Sequence, residues 1–255
     1  PPRFKFLGQL ACALVMIGMG VMIPISNIWL IDVLFTIFWV VGVMNSINML
    51  DNMDGITASV SVFILVAALA ILYLQGALGS FYVIVILGVL AALVSYLYFN
   101  WHPSKMYMGD SGSQFLGAFL SFVSILYMWQ FRGTSADTIG LSLQQFVIPI
   151  LVFMLPIMDT TTVFVRRIRR GQSPFVGGRD HTTHHLAYCG LKDSQVAWVF
   201  VGFGVLTVFF TYFITLHFLT NTWSIGLSIL SLTYVLAVFV GMQYFYEVGK
   251  KRSGQ

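Results

Sequence analysis

Eight long apolar runs, at roughly 7–25, 28–48, 56–75, 80–99, 113–130, 142–165, 195–219 and 223–246, alternate with polar connectors along the chain. Each approaches the about 20 residues that a helix needs to cross roughly 30 Å of hydrocarbon. None shows the apolar–polar alternation of a membrane barrel, whose strands cross in about 10 residues, so each run predicts a transmembrane helix. Two connectors, around 100–112 and 166–194, are longer and hold much of the polar chemistry. The expected fold is all-α: a polytopic membrane bundle of about eight helices, forming one integral membrane domain over residues 1–255.

Composition excludes the soluble alternative. Of 255 residues, 58% are apolar and 9% charged, with a mean hydropathy of +0.87. Soluble chains carry about 25% charged residues, and thirteen bases with nine acids cannot clothe a water-facing surface of this size. Cys12 and Cys189 lie far apart and offer neither a disulfide framework nor a Cys-rich zinc site. The chain opens Pro1-Pro2-Arg3 without an initiating Met, and no small-residue cleavage site follows its first apolar run. It therefore reads as a fragment of a longer protein rather than as a signal peptide and mature domain.

Charge placement predicts orientation. With alternating spans, Arg3, Lys5, Lys105, Arg166, Arg167, Arg169, Arg170, Arg179, Lys192, Lys250, Lys251 and Arg252 share one side, and Arg132 alone takes the other. Such a bias puts both ends and the long loops in the cytoplasm. It also accounts for the net charge of +4 without nucleic acid. Most acids and histidines fall on the same side, which points to an interfacial active site rather than a path across the bilayer.

Three cytoplasmic segments concentrate the chemistry. In Asn45-Ser46-Ile47-Asn48-Met49-Leu50-Asp51-Asn52-Met53-Asp54-Gly55, helical spacing would put Asn48, Asp51 and Asp54 on one face, and Gly55 permits a tight turn. Helix capping is the plainer use of the same residues. In Met108-Gly109-Asp110-Ser111-Gly112-Ser113, glycines flank an acid at a helix start, a setting suited to phosphate. A bare Asp110 would repel phosphate, so an anionic substrate there implies a bridging cation, for which Mg²⁺ is suited. Asp110 as a simple N-cap is the alternative. In Arg179-Asp180-His181-Thr182-Thr183-His184-His185-Leu186, three imidazoles beside Arg179 could bind a pyrophosphate and move protons. Zinc held by two histidines with Asp180 or Cys189 competes with that reading, although no His-Glu-x-x-His is present. Arg166, Arg167, Arg169 and Arg170 read as a positive-inside anchor.

Together, Asn48-Met49-Leu50-Asp51-Asn52-Met53-Asp54-Gly55, Met108-Gly109-Asp110-Ser111-Gly112-Ser113 and His181-Thr182-Thr183-His184-His185-Leu186 resemble the polyprenyl-phosphate sugar-1-phosphate transferases. That family includes the MraY-type muramoyl-pentapeptide and the WecA/TagO-type N-acetylglucosamine-1-phosphate enzymes, and the histidine loop is closer to the WecA/TagO branch. The resemblance implies a reaction of a UDP-N-acetyl sugar with undecaprenyl or another polyprenyl phosphate, releasing UMP and using Mg²⁺, with Mn²⁺ as a substitute. It implies Asp51, Asp54, Asp110, His181, His184 and His185 as catalytic groups, with Asp110 and Asp51 on the metal. Asn48, Lys5, Gly55 and Arg179 would bind substrate, and Asp54 would lie near uracil. Membrane lipid is the expected surrounding, the bacterial inner membrane the expected location, and a homodimer is compatible with the family.

Asn52 stands where relatives usually carry Gly, and the family's adjacent aspartate pair would lie upstream of Pro2-Arg3-Phe4-Lys5-Phe6. Those carboxylates are assigned to the lipid phosphate, so the 255-residue chain is expected to be inactive alone and the full protein to have further N-terminal spans. Two other classes compete. An intramembrane protease would use Ser111 of Gly109-Asp110-Ser111-Gly112 with His217, the only histidine in a span. A secondary transporter would use Asp159, an acid within the sixth run that an Arg or Thr162 could otherwise satisfy.

Overall fold

The computed structural model describes residues 2–26, 28–129, 143–173, 178, 180–222 and 224–253. Ten α-helices carry the described residues, and no strand occurs among them: α1 (Pro2–Gly18), α2 (Trp29–Leu50), α3 (Ile56–Leu74), α4 (Phe81–Asn100), α5 (Gly109–Ser124), α6 (Leu143–Val152), α7 (Met154–Arg169), α8 (Thr182–Tyr188), α9 (Asp193–Leu219) and α10 (Ile225–Ser253). A π-helical turn, Ile125–Trp129, prolongs α5. The chain is an all-α polytopic membrane bundle.

Helices answer to all eight apolar runs, but not all of them span alike. Six are long and apolar enough to cross a membrane, and the bent pair α6–α7 makes a seventh if counted as one span. The first run differs in its bounds: its helix occupies Pro2–Gly18, so residues 19–25 of the run lie beyond it. The 142–165 run breaks at Phe153, where the two halves meet at 75°. Pro149 and Pro156 flank that break and each lacks the N–H a continuous helix would use.

Packing separates centre from periphery. In α3, 67% of the apolar window is buried, against 17% in α4, whose outer face presents Phe81, Ile84, Leu87 and Tyr98 to the surroundings. The centre is filled by α3 against α9 and α2 against α5. Where the α6–α7 bend approaches α2, Trp39 meets Trp129 and Phe153 edge-on at centroid separations of 4.9 and 5.4 Å, and its indole N–H donates to Ser124 Oγ at 2.8 Å. Such aromatic pairs contribute about 0.5–1.5 kcal/mol each beyond area burial. At the Leu50 end of α2, the bundle opens into a cavity.

Candidate active site

The ends of α1, α2 and α5 converge through polar side chains. Lys5 Nζ donates to Asn48 Oδ1 at 2.5 Å and to Asp110 Oδ1 at 3.3 Å. Asn48 Nδ2 donates to Asp110 Oδ1 at 2.9 Å and to Ser113 Oγ at 2.8 Å. Asp110 therefore does not cap its own helix. One of its oxygens is held by Lys5 and Asn48, while its side chain remains 80% exposed. The left-handed Gly109, φ +66°, makes the turn that starts α5 and sets Asp110 in the first helical turn.

One turn deeper on the same three helices lies a layer of amides. Gln9 and Asn45 exchange hydrogen bonds at 3.0 and 2.9 Å, and Gln9 Nε2 also donates to Gln114 Oε1 at 2.9 Å. Their spacing from Lys5, Asn48 and Asp110 is four, three and four residues, the helical repeat that puts each amide below its ionic neighbour. Gln9 and Gln114 belong to none of the three motifs, and this spacing from Lys5 and Asp110 is the sequence signal that marks them.

Both layers line a cavity of about 1030 Å³, with Asp51, Asn52, Arg167, Gly178 and His181 on its walls and Phe4, Phe6 and Phe115 among its apolar lining. These three phenylalanines are exposed, so the cavity runs from ionic groups onto an apolar surface. The volume suits a ligand of nucleotide-sugar size. Burial pushes Asp51 up to about 6, and the negative charge of Asp110 adds to the effect. Among the described residues, Asp51 and Asp110 are the two carboxylates that line the cavity, and each offers hard oxygens.

Not all the expected residues reach this cavity. α2 ends at Leu50, so Asp51, Asn52, Met53 and Asp54 turn instead of continuing the helix, and Asp54 leaves the face that Asn48 occupies. Asp54 Oδ2 accepts the Ser104 N–H at 3.0 Å and lies 3.0 Å from His102 Nδ1. Gly55, φ +75°, is buried with its N–H donated to Asn100 Oδ1. Asp54 and Gly55 thus hold the connector that leads into Asp110 and do not line the cavity. Asn52 keeps a negative φ, so its place requires no glycine, and its Oδ1 accepts from Thr183 Oγ1 across to α8.

The histidines also diverge. His181 lines the cavity, and its Nδ1 lies 2.8 Å from Asp159 Oδ2. His184 stands beside it at a ring separation of 6.3 Å, outside the cavity lining. His185, expected to be catalytic, faces away: it is fully buried against Tyr246 of α10 at 3.7 Å between centroids. Arg179 lies outside the described residues. Among the described residues, Asp159 turns to His181 and neither to Thr162, which accepts from Gln243, nor into an arginine ion pair. Arg167 was read as an anchor but is buried, bonded through Nε and Nη2 to Asp180, and part of the cavity wall. Burial opposes the Asp180 carboxylate, yet the Arg167 hydrogen bonds and charge hold it below the usual carboxylate range.

Among the described residues, the protease and zinc chemistries lack their partners. Asp193, at the start of α9, is 4.0 Å from His102, and His217 is 24 residues further along, about 36 Å up the helix. A base so far from Ser111 cannot serve a hydrolase. Among the described residues no three His, Cys, Asp or Glu side chains are grouped to hold a zinc ion.

Residues 1–128, which carry Lys5, Asn48, Asp51 and Asp110, match the family model described as glycosyl transferase family 4. A Bacillus subtilis protein named "Probable undecaprenyl-phosphate N-acetylglucosaminyl 1-phosphate transferase" is 32% identical over 203 residues, 76% of this chain and 53% of its own. The decaprenyl-phosphate N-acetylglucosaminephosphotransferase of Mycobacterium leprae is 31% identical over 235 residues, 81% of this chain and 58% of its own. The phospho-N-acetylmuramoyl-pentapeptide-transferase of Staphylococcus saprophyticus is 30% identical over 222 residues, covering 80% and 63%. The chain thus spans little more than half the length of the first two relatives. By the family match across half its length and these likenesses across three quarters or more, the chain belongs to glycosyl transferase family 4, among the polyprenyl-phosphate hexosamine-1-phosphate transferases.

Proposed function

We propose that the protein transfers N-acetylglucosamine-1-phosphate, or a related amino-sugar phosphate, from a UDP-sugar to undecaprenyl phosphate at the cytoplasmic face of the bacterial inner membrane. An oxygen of the lipid phosphate forms a bond to the sugar-bearing phosphorus, the bond from that phosphorus to UMP breaks, and UMP leaves with the electron pair. The observation that carries this reading is the convergence of Lys5, Asn48, Asp51 and Asp110 in one cavity that continues onto exposed Phe4, Phe6 and Phe115. A polyprenyl phosphate needs that juxtaposition, with its tail in lipid and its headgroup among charges. The names of the relatives supply the sugar and the acceptor class.

Phosphoryl transfer depends on positioning and on neutralising charge. Lys5 is placed to bind a phosphate oxygen, Arg167, paired with Asp180, also lines the cavity, and Asn48 holds Asp110 in place. Asp110 and Asp51 would hold Mg²⁺, or Mn²⁺ in its stead, because the ion uses one or two carboxylates with water and phosphate oxygens. The ion would neutralise the pyrophosphate. The placement of both carboxylates on the cavity wall supports this assignment. The charge distribution supports the cytoplasmic placement: the end of the bundle that holds Lys5 also holds Arg167, and Arg166 and Arg252 bond to Glu247 and the Cys189 carbonyl near it.

Membranes containing the full-length protein should exchange labelled UMP into UDP-N-acetylglucosamine only when a polyprenyl phosphate and Mg²⁺ are both present. Asp110→Ala should lower that exchange by about 100-fold or more. Exchange that survives this substitution refutes the metal assignment, and exchange without a lipid acceptor refutes the reaction.

A further inference from the structure

Asp159 is 2% exposed inside α7, just beyond the bend at Phe153. An acid within a membrane span is costly to bury and persists where it is partnered. Its two oxygens serve two consecutive residues: Oδ2 lies 2.8 Å from His181 Nδ1, and Oδ1 accepts the Thr182 N–H at 2.8 Å. A carboxylate only accepts hydrogen bonds, so the proton of the neutral His181 ring belongs on Nδ1. His181 is itself 6% exposed and lines the cavity that contains Lys5, Asp51 and Asp110.

We propose that Asp159 is a positioning residue for His181, fixing the Nδ1–H tautomer and turning Nε2 toward the phosphates of bound substrate. The inference rests on the transferase reading for what occupies the cavity, while the tautomer follows from the pairing alone. The plainer role would be to secure the start of α8 through Thr182. Asp159→Asn separates the two roles. An asparagine keeps an oxygen for the Thr182 N–H, but its NH₂ then faces His181 Nδ1 and drives the ring proton to Nε2. Turning the amide over would instead set its NH₂ against the Thr182 N–H.

In the full-length protein, Asp159→Asn should lower kcat for UMP exchange by about 10- to 100-fold. KM for the UDP-sugar should stay within about threefold and the thermal midpoint should hold. In a His181→Gln background the same substitution should cause no further loss, because both act through one group. Nitrogen-15 NMR of labelled histidine in lipid nanodiscs should find His181 protonated at Nδ1 in the unsubstituted protein and at Nε2 in Asp159→Asn. Losses that add in the double variant, an unchanged tautomer, or a fall in melting temperature that alone accounts for lost activity would each overturn the proposal. If Asp159→Asn switches the tautomer but the unsubstituted protein shows no exchange, the transferase reading fails and the positioning of His181 by Asp159 stands.

Discussion

The His185 imidazole is wedged against the Tyr246 ring with neither nitrogen bonded among the described residues. Burial, reinforced by the nearby Arg166 charge, pushes its pKa from 6.5 down to about 4. The folded state therefore keeps His185 neutral through a range in which the unfolded chain binds a proton. Stability linked to it is complete above pH 6.5 and is lost as pH falls toward 4, since there the unfolded state binds more protons. The gap corresponds to about 3 kcal/mol. Thermal melts in detergent should drop between pH 6.5 and 4.5, and His185→Phe should flatten that dependence. His181, four residues earlier, has the opposite setting, with Asp159 against one ring nitrogen and the cavity beside it. The motif shows three histidines in a row of five; which one faces the cavity depends on α10, which no feature of the loop itself reveals.

At the scale of elements, the site depends on how closely α2 and α5 approach. A Cβ on Gly117 of α5 would lie 2.7 Å from the Met44 Cα of α2, so no side chain fits between these backbones without movement. Gly117→Ala should force the helices apart, lowering stability by about 1–3 kcal/mol as seen in thermal melts. It should also cut UMP exchange by about tenfold through the Asn48–Asp110 bond; unchanged activity would show that the helix spacing is not critical. The helices themselves were legible because an apolar run of about 20 residues is a local property. The break at Phe153 was less so, because residues on both sides of it are apolar and only Pro149 and Pro156 mark the bend. The end of α2 at Leu50 lies within two residues of the end of its apolar run, but the parting of Asp54 from the Asn48 face was hidden, since Asn48, Asp51 and Asp54 fit a continuing helix as well as a turn.

For the whole molecule, the orientation predicts opposite accessibilities for the two ends of α10. In a Cys12→Ala, Cys189→Ala background, Lys251→Cys should react with a membrane-impermeant thiol reagent only from the cytoplasmic side, and Ser224→Cys only from the other. Reversed labelling would move the active site to the outer face. Hydropathy and the count of charges determined by themselves that the protein is a helical membrane bundle, the placement of its charges pointed to polar chemistry at one surface, and three motifs pointed to phosphate chemistry there. These properties are local or additive along the chain. Only the tertiary structure decided which members of each motif work together, for the bonds that make the site join residues far apart: Lys5 to Asp110, Gln9 to Gln114, Asn52 to Thr183, and Asp159 to His181. Such pairs depend on where each helix ends and how closely its neighbours pack, and hydrophobic periodicity along one helix carries no record of either.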